Sequence, residues 1–176
     1  MRVRLLETID EHDIAGLTDV LMDCIEGGAS VSFMWPMTRA KGEAFWRDAA
    51  ASAVRGERVI VVAEDESGMI GTVSVVWAKP ENQPHRADIA KMLVRRSARG
   101  QGVGAALLAE SERQADAAGK TLLVLDTVKD EAGHRLYMRA GWTLSGEIPD
   151  YALWPDGRPC AVTVFYKALR GSGAHK

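Results

Sequence analysis

The sequence has little of what marks metal sites, disulfide-bonded folds or membrane proteins. Its two cysteines, Cys24 and Cys160, lie far apart and outside any CxxC pattern, so we expect free thiols in a reducing cytoplasm. Its four histidines are scattered without the spacing of metal ligands, so no metal site is expected. No apolar run approaches the roughly 20 residues that span a bilayer, and the N-terminus lacks the apolar core of a signal peptide. These absences predict a cytoplasmic protein.

An excess of charge of either sign is also missing. The chain carries 22 basic and 24 acidic side chains, for a net charge of -2, so neither nucleic acid nor a membrane is expected as a partner. Its 176 residues, 47% of them apolar, suffice for one domain with a full core. We predict a single domain over residues 1–170 with residues 171–176 as a disordered tail. A monomer and a homodimer both remain open.

Hydrophobic periodicity and turn residues predict the element order β-α-α-β-β-β-α-β-α-β-β. This order is typical of an α/β (α+β) domain with a central mixed sheet of about seven strands and helices on both faces. Asp130 is expected to cap the last helix. The predicted strands are Met1–Glu7, Val59–Ala63, Met69–Trp77, Ala87–Arg95, Thr121–Leu125, Trp142–Leu153 and Cys160–Ala168, and the predicted helices are Ile9–Ile25, Ala40–Arg55, Val103–Ala118 and Glu131–Ala140.

A glycine-rich loop, Arg99-Gly100-Gln101-Gly102-Val103-Gly104, separates a strand from a helix. Its glycines permit backbone conformations in which successive amides point at one anion. The helix that follows directs its positive end to the same place, and Arg99 adds a charge. The loop predicts a phosphate-bearing cofactor.

A dinucleotide fold is the competing interpretation, because Gly100, Gly102 and Ala105 satisfy GxGxxA and the next strand is followed by Asp126. Against it, the glycines begin about six residues beyond Val94, whereas that fingerprint turns directly off its strand. Too little chain follows Asp126 to complete a doubly wound domain. We rank this alternative second.

The loop and a later segment together resemble the GNAT superfamily of N-acetyltransferases. Arg99, Gly102 and Gly104 match the family's acetyl-CoA motif, and Leu136-Tyr137 with Ala140-Gly141-Trp142 resembles its tyrosine helix. The resemblance implies a GNAT-like fold and acetyl-CoA as co-substrate. It also implies a cofactor-binding set made of Met92, Leu93, Val94, Arg99, Gly100, Gln101, Gly102, Val103, Gly104, Ala105, Gly133 and Tyr137.

Within the superfamily, the chain is similar to the acetyltransferases that confer tabtoxin resistance. This resemblance implies a small-molecule amine as acceptor, in the manner of an amino-bearing β-lactam toxin. Two alternatives stay open, a non-catalytic acetyl-CoA-binding module and a protein N-acetyltransferase. The segments that carry the similarity are Gly27–Met34, Lys91–Val94, Ser97–Gly100, Leu125–Thr127, Gly146–Pro149 and Pro155–Arg158.

Acyl transfer to an amine needs a base, because an alkyl amine with a pKa of about 10 is mostly cationic at neutral pH. Asp88 shares strand parity with Met92 and Val94, and this pattern predicts a carboxylate on an otherwise apolar face. Asp126 follows a buried strand, at the sheet edge where such sites gather. Either aspartate, or a water relay, can accept the proton.

Tyr137 is the expected acid, since a phenol with a pKa of about 10 can protonate the departing thiolate; the alternative is a core tyrosine. Gly133, one turn earlier, is expected to leave room for the pantetheine arm. The resemblance further implies an oxyanion-binding amide near Leu93, and a strand Met92–Val94 that splays from Thr121–Leu125.

The acceptor is expected near a loop that is unusually apolar for a surface segment. Phe33, Met34 and Trp35 are the predicted substrate-binding residues of this loop, and Tyr151 and Asp126 are expected to complete the pocket. A hydrophobic lid packed on the core is the alternative interpretation of the loop.

Overall fold

The computed structural model describes residues 1–169, which form seven strands and four α-helices in the predicted order. The predicted tail, residues 171–176, lies outside the described residues. Within them, Cys24 and Cys160 are buried free thiols, and no helix is long and apolar enough to cross a membrane. The strands are β1 (Arg2–Leu5), β2 (Arg58–Asp65), β3 (Gly68–Trp77), β4 (Arg86–Val94), β5 (Leu122–Val128), β6 (Thr143–Leu153) and β7 (Pro159–Ala168), and the helices are α1 (Glu11–Glu26), α2 (Arg39–Val54), α3 (Val103–Ala117) and α4 (Ala132–Arg139).

One mixed sheet runs in the order β1-β2-β3-β4-β5-β7-β6. Its first four strands pair antiparallel, β4 and β5 pair in parallel with α3 as the crossover, and β7 pairs antiparallel with both β5 and β6. The predicted mixed sheet is confirmed. The antiparallel meander also shows that the dinucleotide interpretation is wrong, since that fold has a mostly parallel sheet.

Helices cover both faces of the sheet, as predicted, and each face has its own hydrophobic core. On the α3 side, Val73, Leu107 and Phe165 are fully buried. On the side of α1 and α2, Leu21 and Trp46 are fully buried. The sheet between these two cores is therefore held from both sides, which gives the strands that carry the site a fixed frame.

A β-bulge at Lys91 reverses the side-chain parity of β4. Lys91 has φ +52°, and the β3–β4 register shifts at this point. Before the bulge, Ile89 packs in the core on the α3 side; after it, Leu93 packs in the core beside α1 and α2, although both positions are odd. Met92 packs on the α3 side. The expectation that Asp88 shares a face with Met92 and Val94 is therefore wrong, because the extra residue was not foreseen.

The strands β4 and β5 separate along their length. Their parallel ladder covers only Arg86–Asp88 opposite Leu122–Val124, and beyond Asp88 the adjacent edge of β4 has no strand partner. The expected splay is confirmed. It opens a gap in the middle of the sheet, directly after the point where the two strands pair.

Two predicted boundaries around β5 and α4 are wrong. The strand continues to Val128, so Asp126 lies inside it, opposite Val164 of β7. Asp130 does not cap α4, because it adopts φ +61° and the N-cap position falls to Glu131, without a side-chain cap. Pairing with β7 prolongs β5 past its apolar stretch, which a local pattern cannot show.

A polar cluster ties α3 to the end of the sheet. Glu112 on α3 accepts a hydrogen bond from Trp142 Nε1 at 2.8 Å through one carboxylate oxygen. Its other oxygen accepts from Lys167 Nζ of β7 at 2.7 Å. One carboxylate therefore satisfies two donors that belong to different elements.

Candidate active site

A cleft of about 860 Å³ occupies the gap between β4 and β5. The free part of β4 and the end of β5 form its walls, together with the start of α3, one face of α4, the α1–α2 loop and the β6–β7 hairpin. Within residues 1–169 no group of three histidine, cysteine or acidic side chains is arranged to hold a metal ion. The cleft joins the glycine-rich loop at one end to the aromatic loop at the other.

The glycine-rich loop has the backbone geometry that an anion site requires. Gly100 and Gly102 have φ +74° and +82°, in the left-handed region that side-chain-bearing residues avoid. Gly102 is the N-cap of α3 and provides no side-chain cap, so the first amides of the helix have no partner within the helix. A Cβ at Gly104 would lie 3.2 Å from Leu136 Cδ2. The three glycines thus leave the amides at the start of α3 uncovered by side chains of their own.

Arg99 and Gln101 have different roles around this loop. Arg99 lines the cleft, and its Nε donates to the carbonyl of Val94 at 3.2 Å. Gln101 instead donates from Nε2 to the carbonyl of Ser97 at 2.9 Å and does not line the cleft. The side chain of Gln101 therefore braces the loop.

Successive residues of β4 direct their backbone N–H and carbonyl groups alternately to β3 and to the cleft. Arg95 N–H donates to the carbonyl of Ile70 on β3, and since peptide groups alternate along an antiparallel strand, the amide of Leu93 also points to β3. The carbonyl of Val94 points the other way, where it accepts from Arg99. Of the expected backbone set, Val94 thus turns its N–H and carbonyl away from β3, with the carbonyl also accepting from Cys24 Sγ at 3.4 Å, whereas the amide of Leu93 points to β3.

Tyr137 is buried, but its hydroxyl has no partner among the residues that the structure describes. The side chain is 4% exposed, and its ring centroid lies 5.7 Å from that of Trp142. Within residues 1–169 the hydroxyl makes no hydrogen bond, which is unusual for a buried tyrosine, and the residue lines the cleft. Burial, and then the charge of Asp126, raise the pKa of Tyr137 above its ordinary value. A core tyrosine would not leave its hydroxyl available in this way.

Gly133 lines the cleft, and the packing of α4 against β5 also requires a residue without a side chain at this position. A Cβ at this residue would lie 2.8 Å from Thr127 Oγ1. The glycine therefore lets α4 approach β5 closely, which brings Tyr137 up to the cleft on the same helix face.

The two candidate bases occupy different environments. Asp126 lines the cleft, and its carboxylate is close enough to Tyr137 to raise the pKa of the phenol. Asp88 does not line it, and its carboxylate is 2.6 Å from Arg86 Nη1 in an ion pair. The structure therefore brings Asp126 and Tyr137 together and leaves Asp88 outside.

The acceptor end is closed by a loop and a hairpin that are tied together. Trp35 N–H donates to the carbonyl of Pro155 at 3.0 Å, and Ser30 Oγ donates to that of Leu153 at 2.7 Å. Phe33, Met34 and Tyr151 line the cleft as expected, whereas Trp35 is 50% exposed and does not line it. The apolar loop thus contributes Phe33 and Met34 to the wall of the cleft, whereas Trp35 lies on its outer side.

Two lining residues, Lys91 and Ser32, were missed among the candidate site residues. Lys91 Nζ donates to Ser32 Oγ at 3.0 Å, and both residues have positive φ, of +52° and +72°. No turn residue marks either position, so the pattern contained no signal for the bulge that turns Lys91 toward the loop.

Comparison with known families agrees with this geometry. The sequence model of the acetyltransferase (GNAT) domain matches residues 56–144, just over half of the chain. The chain belongs to the GNAT family of acetyltransferases. The matched part contains the free edge of β4, the glycine-rich loop and the tyrosine helix, and GNAT enzymes take their acyl group from acetyl-CoA. The chain is therefore an acetyl-CoA-dependent acetyltransferase, and the three matched segments all border the cleft between β4 and β5.

Solved structures share the fold of this GNAT domain. The ribosomal-protein-alanine N-acetyltransferase of Brucella melitensis is 23% identical with a TM-score of 0.78, covering 96% of this chain and 100% of that one. The candidate acetyltransferase yncA of Salmonella typhimurium, solved with its cofactor acetyl-CoA, is 20% identical with a TM-score of 0.79, covering 100% and 98%. An N-acetyltransferase of Staphylococcus aureus Mu50 is 19% identical with a TM-score of 0.79, covering 97% and 100%.

Proposed function

We propose that the enzyme transfers the acetyl group of acetyl-CoA to the amine of a small molecule by direct attack, with Asp126 as base and Tyr137 as acid. The observation that carries the proposal is the meeting of these two side chains in the cleft that also contains the glycine-rich loop. A module that only binds acetyl-CoA would need the loop but neither of the other two groups.

The donor end fits a diphosphate followed by an extended chain. The amides at the start of α3 and the guanidinium of Arg99 would hold the diphosphate, since free helix N-termini bind such anions. The edge of β4 at Val94 offers its backbone N–H to an extended arm, as an added strand would use it, while the carbonyl of Val94 already accepts from Arg99 and Cys24. Acetyl-CoA supplies the thioester, whose acyl carbon is the electrophile.

Asp126 is the better base, because it lines the cleft and no cation pairs with it among residues 1–169. Asp88 is engaged in an ion pair with Arg86 and does not line the cleft, so its carboxylate is not placed to meet the acceptor. The role of Asp126 is to take the proton of the acceptor's ammonium, directly or through a water, so that the neutral amine can attack.

Tyr137 acts at the other end of the reaction. As the C–S bond of the thioester breaks and the sulfur takes the electron pair, the Tyr137 hydroxyl would donate its proton to the departing thiolate. The second proton of the attacking nitrogen would be lost through water and would restore the phenol as the amide forms. Because burial raises the pKa of this phenol, the donor stays protonated across the neutral range. Among residues 1–169 no acceptor competes for the proton of this hydroxyl.

The closed acceptor end favours a small molecule over a protein tail. Hydrogen bonds from Ser30 and Trp35 hold the aromatic loop against the β6–β7 hairpin. The loop and the hairpin therefore cover this end of the cleft, whereas a peptide would need an open groove. Phe33 and Tyr151 add aromatic surface that suits an organic amine. The sequence similarity to tabtoxin-resistance acetyltransferases supports amino-bearing β-lactam toxins as members of the acceptor class.

The test is an amine panel assayed for release of free CoA thiol, with tabtoxinine-β-lactam, simple alkyl amines, amino acids and a lysine-containing peptide as acceptors. Turnover of small amines with little turnover of the peptide supports the proposal. Tight binding of acetyl-CoA with no turnover of any acceptor would favour the binding module. Preferred turnover of the peptide would favour protein acetylation.

A further inference from the structure

The β4 bulge turns one lysine into the acceptor end of the cleft. Lys91 Nζ lies 3.0 Å from Ser32 Oγ and 5.7 Å from the ring centroid of Phe45 on α2. Both Lys91 and Ser32 line the cleft. Each has a positive φ without being glycine, so the fold holds an unfavourable backbone conformation at both ends of this hydrogen bond.

Lys91 has no carboxylate beside its ammonium among residues 1–169. Its ammonium forms no ion pair with any carboxylate in the described part of the chain, and its polar partner is the neutral hydroxyl of Ser32. Burial lowers the pKa of this lysine, the charge of Arg58 acts in the same sense, and Asp126 opposes them. A half-buried cation without an anion is costly, and a ligand anion would remove that cost.

We propose that Lys91, oriented by Ser32, binds a carboxylate of the acceptor, so that the acceptor is an amino acid or another amino carboxylate. Asp126 interacts with Lys91 electrostatically but makes no direct ion pair with it, which leaves space between the two charges. Opposite charges set apart in one cleft are complementary to a zwitterion, with the ammonium at Asp126 and the carboxylate at Lys91. The inference rests on the proposed function, because it names the acceptor class of the same site.

A purely structural role is the alternative, in which Lys91 only anchors the α1–α2 loop through Ser32. Lys91→Met separates the two roles, since methionine keeps an unbranched stem of similar length and removes the charge. Ser32→Ala removes only the orienting hydroxyl. Lys41→Met is the matched control, because Lys41 is an exposed lysine whose Nζ lies 5.8 Å from the Phe33 ring centroid, and it does not line the cleft.

The experiment compares amino acids with the amines that lack only the carboxylate: L-leucine with isopentylamine, L-phenylalanine with phenethylamine, and L-lysine with cadaverine. We expect the wild type to prefer a carboxylate-bearing member by about tenfold or more in kcat/KM. Lys91→Met should abolish the preference by raising KM for the acid, while kcat/KM for the amine stays within about threefold. Lys41→Met should change neither.

Each outcome separates the inference from the proposed function. The carboxylate site is overturned if the wild type turns over the amines without preferring the amino acids. It is also overturned if Lys91→Met lowers kcat/KM equally for both. In either case the proposed acetyl transfer is still supported. If no acceptor is turned over, the proposed function fails for these compounds, and product binding then decides the carboxylate site. In the presence of CoA, N-acetyl-L-leucine should raise the Tm of the wild type but not of Lys91→Met, whereas N-isopentylacetamide should not discriminate between them. Equal responses to both compounds would overturn the carboxylate site.

Discussion

Tyr137→Phe removes one hydroxyl and leaves the surrounding packing in place. The ring is 4% exposed and lies against Trp142 and Phe165, with centroid distances of 5.7 and 6.0 Å, and phenylalanine keeps these contacts. Because the hydroxyl makes no hydrogen bond within residues 1–169, the folded state loses no internal bond. The change therefore tests chemistry with little effect on folding.

A positioned general acid contributes roughly 10²–10⁴ in rate. We expect kcat to fall by at least about 100-fold, which corresponds to about 2.7 kcal/mol of barrier at 1.36 kcal/mol per tenfold. The Kd for acetyl-CoA should change by less than about threefold, and Tm by less than about 2 °C, within the small range of substitutions that break no specific interaction. Since the pKa of Tyr137 is raised, its deprotonation should also not reduce activity below pH 10 in the wild type.

The assay is steady-state CoA release with an acceptor from the panel, together with calorimetric titration of acetyl-CoA and thermal unfolding. Trp142→Phe is a useful companion, because it alters the packing of the same ring and leaves the phenol in place. A kcat for Tyr137→Phe within about threefold of the wild type would refute the acid role. A parallel loss in Kd or Tm would instead show that the hydroxyl has a binding or structural role.

Three further predictions concern the loop, the base and the fold. Gly102→Ala should weaken acetyl-CoA binding about tenfold, because an alanine at φ +82° costs roughly 1–2 kcal/mol and its Cβ stands at the anion site; Gly119→Ala, at φ +72° on the far end of α3, should lower Tm similarly without changing Kd. Asp126→Asn should lower kcat/KM at least about 100-fold in the CoA-release assay, whereas Asp88→Asn should stay within about threefold of the wild type; the reverse result would make Asp88 the base. Glu112→Ala should destabilise the enzyme by about 2 kcal/mol, or about 4–8 °C in Tm, since it leaves the Trp142 indole N–H without its acceptor and removes the carboxylate from Lys167, whose ammonium keeps the carbonyl of Ala140. An unchanged Tm on thermal unfolding would show that water replaces the carboxylate.

The parts of the fold that local pattern controls could be predicted from the sequence. Amphipathic spacing and glycine stops located α1 and α3, and the positive-φ glycines of the loop are the residues that such a turn requires. The bulge in β4 and the extension of β5 to Val128 could not be foreseen, because each depends on a neighbouring strand. The ion pair of Asp88 with Arg86 is different, because residues two apart on one strand share a face, so this pairing follows from the local strand pattern.

The bulge explains why the same short strand serves both substrates. Before it, β4 is held by its ladder to β5, and after it the strand is held by Leu93, which is 1% exposed in the core beside α1 and α2. Where the β4–β5 ladder has ended, the packing of Leu93 fixes this part of β4. The edge of β4 at Val94 can therefore face acetyl-CoA without a strand partner on that side. The residue that the bulge adds is Lys91, and it is directed to the acceptor end. Lys91 at the bulge thus adds a cation at the acceptor end, while β4 keeps its pairing with β3 as far as Val94 although its ladder with β5 has already ended at Asp88.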